Sequence, residues 1–213
     1  SGQAAAQSHA RKGSLGFGGL ADLHAENGKA GMLLLDPANL FLGNIGDFVW
    51  LGYDFINVVS IVSSLNLGTD VTQTATNNLS VLGDIIWSGA GSLILNATGN
   101  DAHIEADIKS SFNGTNTQGA ITINAGNNIY LGGANIATKN GDITANSQDF
   151  HMSFSSMKST PGDVLINNTG KFAANAAGVL KGKSVTLHQS TAGSIQNAVS
   201  AVGATGSGGG KLL

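Results

Sequence analysis

The chain of 213 residues contains no cysteine and two prolines, and only 11 % of it is charged. Without cysteine there is neither a disulfide framework nor a thiolate metal site. So little proline, with glycine in no three-residue period, excludes collagen. Ten Lys and Arg against 13 Asp and Glu leave a net charge of −3, so no basic excess is present to track a nucleic-acid backbone. No apolar run reaches the roughly 18 residues that a membrane-spanning helix needs. A disordered chain combines high net charge with few aliphatics, whereas 41 % of this one is hydrophobic. Aromatic residues make up only 6 %, and Phe41, Phe48, Trp50, Tyr53 and Phe55 crowd into one patch.

What is abundant is glycine (31 residues), asparagine (21), threonine, serine and β-branched residues. That mixture suits many short strands joined by tight turns. Residues 1–14 are small and polar, with no apolar stretch of the kind a signal peptide carries. Residues 203–213 read as a flexible linker. The expected organisation is a flexible segment over 1–17, a β-helical domain over 18–202 with a non-repeat aromatic insertion near 41–67, and a Gly-rich tail over 203–213.

Self-similarity organises the rest. Six stretches beginning at Thr69, Gly91, Gly119, Gly141, Gly162 and Gly182 follow one plan, with starts 22, 28, 22, 21 and 20 residues apart. A glycine turn precedes an alternating strand, then an Asn/Gly corner, then a second alternating strand. The long interval holds an insertion, residues 110–118. In the third unit Ile121, Ile123 and Ala125 share one face, and Ile129 and Leu131 another, with Ile136 later. In the second unit Leu93, Leu95 and Ala97 are followed by Ala102, Ile104, Ala106 and Ile108. Alternation of period two buries one face and wets the other. A sandwich of hairpins has no reason to repeat one plan of about 21 residues six times, whereas a parallel coil does, because each turn stacks on the last. The fold class expected is all-β, a right-handed parallel β-helix, since parallel crossovers are nearly always right-handed. Like residues then lie about 4.8 Å apart, aliphatic over aliphatic inside and Asn over Asn in amide ladders at the corners. Before the repeats, Met32 to Leu35 reads as a strand, and residues 56–67 as a short helix or a coil entry.

Residues 25–43 (AENGKAGMLLLDPANLFLG) and 56–100, with their GTDVTQTATNNLSVLGDI run, resemble the corresponding segments of filamentous-haemagglutinin-like exoproteins. The resemblance extends over roughly residues 18–200, the later repeats being specific only to a β-helix. It implies the same fold and a secreted, surface-associated protein of a Gram-negative bacterium. It also implies export through an outer-membrane transporter by two-partner secretion, and adhesive or effector regions carried by the shaft. Host glycans or surface proteins are the partners such a shaft would meet, and no cofactor is called for. A chain crossing a membrane unfolded gains nothing from disulfides, in keeping with the missing cysteine.

Two other classes are weighed against that reading. Parallel β-helices also carry polysaccharide lyases and hydrolases, whose sites need carboxylates close together. Asp101, His103, Glu105 and Asp107 alternate with apolar residues and so share the wet face. Aligning neighbouring coils sets His103 between Ser80 and Tyr130, Glu105 between Leu82 and Gly132, and Asp107 between Asp84 and Ala134. Only Asp84 and Asp107 then form an acidic pair, with no Lys or Arg above or below, and the expectation is no enzyme. A surface haem or cation binder is the other alternative, but His9, His24, His103, His151 and His188 fall in different units without metal-ligand spacing. Trp50 and Tyr53 of the aromatic patch are candidates for ligand contact. Asn78, Asn96, Asn113 and Asn167 occupy Asn-x-Ser/Thr sequons, Asn113 being the most accessible.

Overall fold

The structure is a computed structural model that describes residues 6–8, 32–35, 37–44, 48–50, 53–114, 117–174, 178–189, 195–196, 201–204 and 211–212. Three sheets wind together as a parallel β-helix, with nine, nine and six strands. Among the described residues every strand pairing is parallel except that of Phe48–Trp50 with Tyr53–Asn57. From Asp70 to Gly182 each turn contributes one strand to each sheet. Leu93–Ala97, Ala102–Ile104 and Ile108–Ser110 form one coil, and Ile121–Ala125, Asn128–Gly132 and Asn135–Thr138 the next. The two-strand plan expected from sequence is therefore a three-strand coil. Its third strand is only three or four residues long, too short to show a period of its own.

Alternation sets the interior. Val71, Leu93, Ile121, Ile143, Val164 and Val185 stand rung over rung in the first sheet. Leu40, Leu79, Ala102, Ile129, Phe150 and Phe172 do so in the second. All are buried. Large and small residues alternate along the stack: opposite Phe150 the first sheet has Ala145 where it had Leu95 and Ile123, and in the coil of Phe172 it returns to Ile166 while the second sheet has Ala174 in place of Met152. The two Phe rings stack with centroids 5.5 Å apart and planes within 1°. Each aliphatic side chain so buried contributes about 1.5–3 kcal/mol.

The aromatic insertion is built as strands. Leu40–Gly43 takes its place in the second sheet beside Leu79–Val81, and Tyr53–Asn57 adds to its other edge. The helix Val58–Asn66 follows, capped by the Asn57 side chain, which accepts from Val59 N at 2.9 Å. It buries Val58, Ile61, Ser64 and Leu65 and packs on Ile85–Trp87, the first strand of the third sheet. Among the described residues no third-sheet strand precedes Ile85–Trp87, and the helix supplies the third wall there. Its approach requires glycine at 89, where a Cβ would lie 2.4 Å from the Leu65 and Asn66 carbonyl oxygens. Buried Trp87 meets its own need for a partner there, donating Nε1–H to Gly91 O at 2.7 Å.

At the two ends, Ala6–Ser8 pairs with Met32–Leu35, Ala201–Ala204 with Val179–Gly182, and Lys211–Leu212 with Val185–Gln189. His9, His24 and most of residues 1–31 lie outside the described residues, as do 205–210 of the tail.

Candidate functional site

The acidic residues singled out from sequence turn out to be corner residues. Where the second sheet bends into the third, Asp84 Oδ1 accepts Asp107 N–H at 3.0 Å. Asp107 Oδ1 in turn accepts from Asn135, N at 2.9 Å and Nδ2 at 3.0 Å. Asn135 Oδ1 takes the Ser156 hydroxyl at 2.8 Å. Where the first sheet bends into the second, Asn78 Oδ1 accepts Asp101 N–H at 3.3 Å. Asp101 Oδ1 accepts Asn128 N at 3.0 Å and Nδ2 at 2.9 Å, and Asp149 takes Lys171 N–H at 2.7 Å. At the third corner Asp70, Asp142 and Asp163 accept from Ser92, Asp163 and Ser184 N–H at 2.9, 2.8 and 3.0 Å. In every case but that of Asn135, which takes a hydroxyl, the acceptor satisfies a backbone N–H of the next coil, a donor that no strand ladder reaches at a corner.

One expectation from sequence is corrected here. Asp107 faces Asn135 in the following coil, not Ala134. It also has a cationic neighbour, Lys109, which donates to Asp107 Oδ2. Burial alone would raise the Asp107 pKa, but the bonds from Lys109 and Asn135 and the Lys109 charge outweigh it and hold it below the ordinary value of 3.8. That is the environment of an ionised structural acceptor, the opposite of a raised-pKa general acid.

Two residues of the group stay on the outer face. Glu105 is exposed, beside Gly132. His103 lies between Ser80 and Tyr130, as the alignment of coils indicated. The rings of His103, Tyr130 and His151 form one stack along the coil axis, with centroids 4.9 and 4.8 Å apart and planes tilted by 14° at each step. Burial raises the Tyr130 pKa, assisted by the Asp101 and Asp149 charges. Burial lowers that of His151 below 6.5, against the pull of Asp149 and Asp101 and with that of Lys171. A cavity of about 370 Å³ runs along this stack, bordered by Glu105, Gly132, Ser153 and Ala173 among others. Sequence reasoning pairs His103 with Tyr130 and misses the continuation of the file to His151. The signal is there, since His151 occupies the equivalent place in the next unit.

The aromatic patch does gather. Phe41 lies 4.7 Å from Tyr53 and 5.1 Å from Phe55, centroid to centroid. The Trp50 side chain lies outside the described residues. Of the sequons, Asn78, Asn96 and Asn167 spend their amide N–H groups on the preceding coil, bonding Asn39, Thr74 and Asn146 at 3.3, 3.1 and 2.8 Å. Asn124 and Asn146 complete the amide ladder through 2.7 Å bonds. It runs up the outer face of the first sheet rather than the corner. Asn113 is exposed, and its Oδ1 accepts from Asn140 at 2.9 Å.

Among the described residues no group of three or more His, Asp and Glu side chains could hold a metal ion, and no helix is long and apolar enough to cross a membrane. Compared with known proteins, the chain matches no family model, no curated protein and no solved structure.

Proposed function

We propose that this chain is a non-catalytic β-helical shaft segment of a secreted, surface-associated adhesin of the filamentous-haemagglutinin-like kind. In that role it is exported by two-partner secretion from a Gram-negative bacterium and presents adhesive or effector regions. One observation carries the non-catalytic part: the aspartates offered as acid–base candidates are committed to the backbone of the next coil. A general acid and base must be free to exchange protons with substrate, and Glu105 alone of the four is exposed and outside these corner lines. A solenoid in which each coil contacts only its neighbours can also grow as it emerges from a transporter. The family assignment rests on residues 25–43 and 56–100.

The test combines activity with stability. The parent chain is expected to release no sugar from a panel of neutral and acidic polysaccharides, and the triple variant Asp84→Asn, Glu105→Gln, Asp107→Asn to melt like the parent. Sugar release by the parent that vanishes in the triple variant, with its melting curve unchanged, would overturn the shaft reading in favour of a carbohydrate-active enzyme. If the shaft binds host glycans through the aromatic patch, that binding survives the triple variant and falls in Trp50→Ala/Tyr53→Ala.

A further inference from the structure

The His103–Tyr130–His151 stack stops abruptly. The next rung of the same outward file is Ala173, in register with His151. A methyl group therefore stands where the pattern has placed a ring three times, and the outer face of the His151 imidazole looks across it. The cavity beside the stack reaches this gap, for its border includes His151, Met152, Ala173 and Ala174. The other end of the stack is different: beyond His103 comes Ser80, which is 9 % exposed and does not border the cavity. Among the described residues, then, only a methyl group stands in register with His151 at this end of the stack, and the cavity lies beside it.

The geometry points to a binding slot for a small, uncharged, planar aromatic ring, which stacks on His151 over Ala173 and completes the file. Aromatic rings prefer offset-stacked partners with centroids about 4.5–7 Å apart, and the spacing already set by the rungs, 4.8 to 4.9 Å, falls inside that window. The stack below is fixed by the backbone ladder, so the slot is organised before any ligand arrives, and little ordering cost is left. Burial disfavours the imidazolium form of His151, which keeps the stacking face uncharged.

Indole serves as the probe, followed by NMR of the His151 ring protons in the full chain at pH 7.5. A saturable upfield shift of those protons is expected, since ring-current shielding acts above a stacked face. Ala173→Phe fills the rung covalently and is expected to abolish the saturable shift, with the introduced phenyl ring already shielding His151. His151→Leu keeps apolar bulk but removes the π face, and is expected to weaken indole binding, read at Tyr130, by roughly 2–10-fold. Cyclohexanol, of similar bulk without a π system, is expected to bind more weakly than indole to the parent. Shifts that stay linear to the solubility limit, saturable binding that persists in folded Ala173→Phe, or equal binding of cyclohexanol and indole would each overturn the proposal. Should Ala173→Phe fail to fold, unchanged indole affinity in His151→Leu overturns it on its own.

Discussion

Two residues, Gly133 and Phe154, explain why Asp107 meets Asn135 and not Ala134. They occupy equivalent corners of successive coils, both with left-handed backbone, φ +74° and +51°. Each such corner holds one more residue than the corner at Ala106, and left-handed backbone absorbs it. Counting residues gives no warning of this, because the total coil length hides where an extra residue sits. The neighbours of His103, by contrast, were legible, since nothing intervenes between strand start and ring. At 154 the extra residue is a phenylalanine, 74 % exposed. A side chain in the left-handed region costs about 1–2 kcal/mol, against the extra unfolded-state entropy of glycine, about 0.5–1 kcal/mol. Phe154→Gly is therefore expected to raise the denaturant midpoint slightly, and a clear fall would refute the strain. His151 gives a pH dependence. Its folded pKa lies below the ordinary 6.5, so the unfolded state takes the proton first on acidification. The neutral-ring contribution is complete above about pH 6.5 and is lost as pH falls below it towards the folded value. Between pH 7.5 and 5.5 the parent should lose more stability than His151→Phe, as read by denaturant midpoints at both pH values.

For whole elements, the strands of the first sheet were the most legible, because Leu93, Leu95, Ile121 and Ile123 alternate over five residues. The third sheet was not, since Ile108–Ser110 offers one inward aliphatic and no period. Nor was the helix decided: Val58, Ile61 and Leu65 have helical spacing, but the β-branched Val59 and Val62 among them favour strand, and what supports the helix is Asn57 at its cap and the glycine at 89 that lets it approach. The corner acceptors were overlooked although their signal recurs, an Asp directly before Val71, Ile85, Ile108, Ile143 and Val164. Register has a sharp consequence. Ile123 is fully buried between Leu95 and Ala145, while Thr122 is half-exposed between Ile94 and Thr144. Ile123→Asp buries a carboxylate with no partner and is expected to cost several kcal/mol or prevent folding, while Thr122→Asp stays within about 1 kcal/mol. Comparable melting curves for the two variants would mean that the register is wrong.

Across the whole molecule, the stability of a solenoid is close to a sum of coils and the interfaces between them. The strand ladders tie coils along their flat faces, and the side-chain acceptors tie them at the corners. Sequence composition displayed this economy, with many Asn and Asp yet a low charge, but could not say which carboxylates were spent on it. What the corner aspartates share is an oxygen acceptor for the next coil's N–H; among the described residues the charge is paired at Asp107 alone of Asp84, Asp101 and Asp107, by Lys109 at the surface. The direct measurement is the unfolding free energy of Asp84→Asn/Asp101→Asn/Asp107→Asn beside that of the same three positions changed to Ala. Asparagine keeps Oδ1, so the Asn variant should remain within about 1 kcal/mol of the parent. Alanine strands the next coil's N–H groups and should lose roughly 1–3 kcal/mol at each corner. Equal losses in the two variants would contradict the acceptor role, since the charge would then be what these residues are for.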